Sequence, residues 1–190
     1  MRGRNRIKRP KAPRYDSFGT EVAALLASGQ EVKVHVGCGP VRLEGFVHVD
    51  LRPFPGSYTF DVTNRWSCPG NAIDFIFSED FIEHLDQRGQ IRYLAETFRV
   101  MKPGAVQHVS APDLHWCMGE FSSFDQGAAG VYDEWGRFKH LLVPTAQYLM
   151  EVGELVGFEA RMAQPMPYAT RPGPGRDKEL GNLFIELVRP

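Results

Sequence analysis

Cysteine is scarce in this chain: three residues in 190, at positions 38, 68 and 117, with no Cys-x-x-Cys pair. An odd, widely spaced set excludes a disulfide framework and offers no zinc ribbon or finger. His108, His115 and Cys117 form no recognised ligand spacing either, so no metal is expected from the sequence. Long hydrophobic runs are missing as well. Nothing approaches the ~18 apolar residues of a membrane span. The one apolar run that follows the basic start, Val22 to Ala27, falls short of the ~7–15 residues of a signal-peptide core. The expectation is a cytoplasmic protein with no membrane partner. Net charge of one sign is nearly absent, at −1 overall. That balance conceals an asymmetry, because residues 1 to 14 carry seven positive charges and no negative one, leaving −8 for residues 15 to 190. A body of that sign repels nucleic acid over most of its surface. The arm is expected to be a flexible, solvated segment, able to touch phosphate but not enough to favour a nucleic-acid partner.

What is present is core material. With 43% hydrophobic residues, 13 Phe and 3 Trp, the chain is of a size for one domain, residues 15–190. From Asp16 onward, helix and strand periods alternate. Phe18, Val22, Leu25 and Leu26 recur at helix spacing and stop at Ser28-Gly29; Val32 to Val36 then reads as a buried strand. Phe46 to Asp50 is a second strand, Tyr58 to Val62 a short third, and Ile73 to Ser78 an almost wholly apolar fourth of the kind found inside parallel sheets. Ile91, Leu94, Ala95, Phe98 and Met101 predict one face of a helix ended by Lys102-Pro103-Gly104, followed by a strand over Ala105 to Ala111. Thr145 is placed to cap a helix from Ala146 to Val156, with Gly157 closing it and Phe158 opening a strand through Ala163. After a loop from Pro165 to Gly181, Asn182 to Val188 returns without an intervening helix, so it is expected to pair antiparallel. Residues 112 to 140 lack a clean period but hold Trp116, Phe121, Phe124, Tyr132, Trp135 and Phe138, which predicts an insertion on the substrate side.

The chemistry concentrates at Val36-Gly37-Cys38-Gly39-Pro40. A strand that runs into Gly-x-Gly brings bare backbone toward a ligand. Ten or so residues later, Asp50 ends the second strand where a carboxylate accepts from ribose hydroxyls. A dinucleotide fingerprint would need glycine at 42, where Arg42 stands, and the short Gly39-to-Asp50 interval leaves little room for a helical crossover. Both departures argue against an ordinary NAD site.

Together with Leu43 to Asp50, Asp61-Val62, Ile73 to Ser78 with Glu83-His84-Leu85, and Phe98 to Ala105, this turn resembles the class I S-adenosylmethionine-dependent methyltransferases, in particular small bacterial and phage members with a compressed first crossover. The resemblance runs from about Val32 to Met162. It implies an α/β Rossmann-like sheet, parallel in the centre with an antiparallel last strand and helices on both faces. It also implies S-adenosylmethionine (AdoMet) as cofactor, its methionyl end on Gly37, Cys38 and Gly39. Asp50 would take the ribose, Leu51 would pack near adenine, Asp61 and the Val62 N–H would bind the adenine edge, and Ser78 and Glu79 would line the site. His35 before the turn and Ala105 in place of a second glycine depart from the family pattern without blocking that cofactor.

Because the sulfonium is an activated donor, such an enzyme mainly orients the acceptor. A hydroxyl acceptor calls for a base, and Asp113, His115, His140 and Asp80 are the candidates on the expected edge. Glu83 and His84 read as residues that orient a helix start. The expected acceptor is a small molecule or carbohydrate. A nucleic-acid-directed enzyme is disfavoured because Ser78-Glu79-Asp80-Phe81 replaces an Asn/Asp-Pro-Pro-Tyr motif. A non-catalytic AdoMet-binding accessory module is the rival from another class.

Overall fold

The computed structural model describes residues 17–120, 135–136, 138–166 and 181–190. The basic arm, most of the aromatic insertion and most of the Pro165 to Gly181 loop lie outside the described residues.

Seven strands form one sheet in the order β3-β2-β1-β4-β5-β7-β6. They are β1 (Lys33–Val36), β2 (Phe46–Asp50), β3 (Tyr58–Thr59), β4 (Ile73–Glu79), β5 (Met101–Pro112), β6 (Glu159–Met162) and β7 (Asn182–Val188). Strands β1 to β5 pair parallel, whereas β7 lies antiparallel between β5 and β6. The absence of a helix before Asn182 accounts for that reversal. Among the described residues the α-helices are α1 (Ser17–Ala27), α2 (Gln87–Val100), α3 (Leu114–Glu120) and α4 (Ala146–Val156). Helix α4 starts on the Thr145 hydroxyl, which accepts from Tyr148 N, and ends on Gly157 at φ 119°.

Val34, Val36, Val49, Ile76, Val109 and Ile185 belong to one buried cluster with Phe18 and Val22 of α1, Tyr93 and Leu94 of α2, and Leu149 and Val152 of α4. Three helices therefore share a core with the same set of inward-pointing strand residues. Between β1 and β2, and between β2 and β3, no helix forms, so helices at these two crossovers do not contribute to the expected cover on the second face. The alternate strand residues carry a row of rings, His48, His35, Phe77 and His108, with successive centroids 5.6, 5.3 and 6.0 Å apart.

Two boundaries and one buried helix face differ from the sequence reading for identifiable reasons. Strand β3 stops at Thr59, because the Asp61 carboxylate turns the chain by accepting from Thr63 N at 2.9 Å and Thr63 Oγ1 at 2.7 Å. Lys102-Pro103-Gly104 is not a linker after α2 but an irregular start to β5, where Met101 already pairs with Ile73 and Val106 with Phe75. The Lys102 ammonium holds both carboxylate oxygens of Asp74, at 2.7 and 2.8 Å. Helix α2 buries Gln90, Tyr93, Leu94, Thr97 and Val100, while Ala95 faces solvent. Its buried stripe includes polar residues that bond backbone carbonyls, Gln90 to Ile82 O and Thr97 to Leu94 O. An apolar period alone misplaces such a stripe.

Candidate functional site

The parallel strands deliver Gly37 to Gly39, Asp50, Glu79 and Asp113 to one edge of the sheet, their carboxyl ends, where open α/β sheets bind ligands. Gly37 turns the chain at φ 67°. All three backbone donors of this turn are used within the protein. Gly37 N and Cys38 N donate to Val49 O at 2.9 and 3.2 Å, and Gly39 N donates to Asp50 Oδ2 at 2.8 Å. No helix follows. A pyrophosphate needs such donors and a helix N-terminus behind them, so this turn is poorly suited to a dinucleotide.

Arg42, standing where a third glycine would be, has a structural task. Its guanidinium donates to Gly39 O at 2.9 Å, Val41 O at 2.6 Å and Pro55 O at 2.8 Å, tying the turn after β1 to the loop after β2. His48 Nε2 accepts from Leu43 N at 2.8 Å and is therefore neutral. Burial, with the Arg42 charge as the next cause, lowers its pKa. Burial likewise raises the pKa of the Cys38 thiol. The chain between β1 and β2 is thus held by side chains in place of a helix.

Asp50 keeps its second oxygen, Oδ1, on Arg52 N at 2.8 Å. A carboxylate has about four acceptor positions, so two hydrogen bonds leave capacity for a ligand's hydroxyls. Beside it Leu51 is 71% exposed, a large apolar side chain at the rim with little covering it. Asp61 is exposed and its carboxylate serves the turn to Thr63 and Asn64; Val62 is buried, and its carbonyl accepts from Trp66 Nε1 at 2.9 Å. Ser78 is fully buried, and its neighbour is the Tyr93 hydroxyl. The half-buried Glu79 is the side chain that reaches the edge.

Past β4 the chain passes through Asp80 at φ 48°, whose Oδ1 accepts from Asn182 Nδ2 at 2.9 Å. A 3₁₀ turn over Ile82–His84 follows. Glu83 and His84, read as orienting the helix start, precede α2 without capping it, since Asp86 does so by accepting from Gly89 N. Glu83 instead stands beside His140, with Glu83 Oε1 and His140 Nε2 3.7 Å apart, and the His84 and His140 rings meet edge to face at 4.7 Å. Leu141 N and Leu142 N both donate to Glu83 O, at 2.8 and 3.1 Å, which lays His140 over the turn. Gln90, fully buried on α2, ties the same parts together through Nε2 to Ile82 O at 3.0 Å and Leu85 O at 3.3 Å. Phe138 stacks on His140 at 5.6 Å. Sequence reasoning missed Gln90 and Asn182, since neither carries a local motif.

The other two base candidates are placed differently. Asp113 Oδ1 accepts from His115 N at 3.0 Å, so this carboxylate caps α3, and His115 itself is exposed. Of Asp113, His115 and His140, only His140 joins a buried polar cluster.

Strand order, the reversed β7 and the ligand edge together define the class I S-adenosylmethionine-dependent methyltransferase fold. Solved structures agree. A methyltransferase from Archaeoglobus fulgidus described as SAM-dependent superposes with a TM-score of 0.54 at 13% identity, covering 90% of this chain and 94% of that one. A possible histamine N-methyltransferase from Thermotoga maritima gives 0.54 at 18%, covering 92% and 89%. Phosphoethanolamine N-methyltransferase 2 of Haemonchus contortus, in complex with S-adenosyl-L-methionine, gives 0.55 at 14% over 90% of this chain and 52% of that one. At these identities the likeness is one of fold. No family model and no curated protein matches the sequence. Among the described residues, no helix is long and apolar enough to cross a membrane.

Proposed function

We propose that this protein is an AdoMet-dependent methyltransferase acting on a small-molecule or carbohydrate acceptor. The observation that carries the reading is the turn after β1, where the N–H groups of Gly37, Cys38 and Gly39 are all bonded internally while Asp50 fixes the turn from the next strand. That arrangement offers a phosphate none of these three N–H groups, while Asp50, with two hydrogen bonds, keeps acceptor capacity for ribose hydroxyls. In this reading Gly37, Cys38 and Gly39 contact the methionyl end, Asp50 the ribose, Leu51 the adenine face, Asp61 and the Val62 N–H the adenine edge, and Glu79 the cleft between cofactor and acceptor.

Transfer needs the acceptor's lone pair in line with the S–CH₃ bond. The acceptor atom bonds the methyl carbon, the C–S bond breaks, and its electron pair stays on sulfur, leaving S-adenosylhomocysteine. In this reading Glu83, His84 and His140, which cluster on the turn that follows β4, take the acceptor side.

Thermal unfolding with S-adenosylhomocysteine, AdoMet and NAD tests the cofactor, because a ligand that binds only the folded state raises the melting temperature. The reading expects shifts with the first two and none with NAD. A Leu51→Glu variant, changed at an exposed position, is expected to keep its melting temperature without ligand and to lose most of the shift. A folded protein that responds only to NAD overturns the proposal.

A further inference from the structure

We propose that Glu83, His84 and His140 bind a divalent transition-metal ion, and that this ion holds the acceptor through its oxygen atoms. Each side chain offers one ligand atom, and the three atoms all lie within 4.8 Å of one another. Metal–ligand bonds of ~2.0–2.2 Å place neighbouring ligand atoms roughly 3–3.5 Å apart. The widest separation therefore needs to close by at most roughly 1.3–1.8 Å, and the Glu83–His140 separation of 3.7 Å is already close. That separation is beyond the reach of a direct hydrogen bond.

The donor set names the metal class. Two imidazoles and one carboxylate suit Mn²⁺, Fe²⁺, Co²⁺ or Zn²⁺, whereas Mg²⁺ and Ca²⁺ favour oxygen alone. Burial gives the site a direction: Glu83 and His140 are 0% and 7% exposed, while His84 is exposed. Three protein ligands with one open side leave coordination positions for an incoming molecule. The scaffold is fixed from behind, by the Gln90 amide and by the Leu141 and Leu142 N–H groups on Glu83 O, as preorganised ligands require.

As a deepening of the methyltransferase reading, on which the acceptor part rests, the ion selects acceptors with hydroxyl oxygens, above all neighbouring pairs that bind through both. A metal-held hydroxyl loses its proton to water more readily. Its oxygen forms the bond to the methyl carbon while the sulfur keeps the electron pair of the broken C–S bond.

The test uses the full chain, freed of metal with a chelator and titrated with Mn²⁺ alone by electron paramagnetic resonance and with Co²⁺ alone by visible absorption. One site per chain is expected. Glu83→Gln and His84→Asn are each expected to weaken binding at least tenfold, the second at an exposed position that leaves the fold intact by circular dichroism. Addition of catechol, or of a methyl glycoside with vicinal hydroxyls, is expected to change the Co²⁺ spectrum. No binding by the folded protein, or binding unchanged in both variants, overturns the metal site; an unchanged Co²⁺ spectrum with both diols overturns the acceptor class. The melting-temperature response to S-adenosylhomocysteine is read in parallel. A response without metal binding rejects this inference and leaves the methyltransferase reading standing, and metal binding without a response does the reverse.

Discussion

The Phe81 ring lies against Gly37 so closely that a Cβ on the glycine would sit 2.6 Å from Phe81 Cδ2 and 2.8 Å from Phe81 Cβ. The first glycine of the turn is thus required by a side chain of the protein as well as by its φ of 67°. Gly37→Ala is expected to cost about 2–4 kcal/mol, from overpacking and the left-handed backbone together. Gly37→Ala with Phe81→Ala is expected to be less destabilised than the sum of the two single changes, which urea unfolding of the four-member cycle measures. Strict additivity would refute the contact.

Asp50 governs both the turn and the ribose position. Asp50→Ala removes hydrogen bonds from Gly39 N and Arg52 N along with the ligand's acceptor. At ~1.5–3 kcal/mol for a charged hydrogen bond, S-adenosylhomocysteine affinity is expected to fall about 10- to 150-fold by calorimetry. Asp50→Asn, which keeps one acceptor, is expected to fall between wild type and Asp50→Ala.

Acid should destabilise the fold through its buried histidines. Burial lowers the pKa of His48 and of His108 below the ordinary imidazole value of about 6.5. The unfolded chain then takes up protons first, so stability is full above about pH 6.5 and declines as pH falls from there toward the folded-state values. Urea midpoints from pH 8 to pH 5 are expected to follow that curve. In His48→Gln, whose amide oxygen can still accept from Leu43 N, the decline is expected to be shallower; an identical curve would exclude His48 as a contributor.

His108 gives a second check of the same effect. It is fully buried between Phe77 and Phe184, and neither ring nitrogen finds a hydrogen-bond partner among the described residues. Replacing a buried polar group by an apolar one of similar shape is close to neutral or stabilising. His108→Phe is expected to match or exceed wild-type stability at pH 7 and to widen its advantage at pH 5.

Gln90→Leu leaves the carbonyls of Ile82 and Leu85 without their side-chain donor. A loss of ~1–3 kcal/mol is expected, read as a lower urea midpoint. Because Gln90 also reaches Leu142 O at 3.5 Å, the segment that carries His140 is expected to exchange its amide hydrogens faster.

How far the sequence reveals this protein depends on the distance between partners. Helix α4 was legible to the residue, since Thr145 and Gly157 are local signals. The parallel centre, the reversed β7 and the pairing of the Gly37 turn with Asp50 were legible too, because strand periods and a short crossover constrain them. What stayed hidden depends on contacts across the fold. Glu83 and His140 are separated by more than fifty residues, and Gln90 has no pattern that marks it as buried. Asp113 and Asp61 are site candidates by position, but a carboxylate in a loop also makes turns and caps, as these two do toward His115 N and Thr63 N, and a sequence does not separate that work from ligand binding.

The placement of β7 has a consequence in time. Among the described residues, strand β6 pairs with β7 alone, and β7 separates it from β5. During synthesis β6 therefore emerges before anything exists for it to pair with, and β5 keeps an open edge until Asn182 to Val188 arrive. The sheet closes from its middle and late, with pairings between residues as distant as Val106 and Val188, a topology that favours slow folding and a newborn chain with an exposed strand edge.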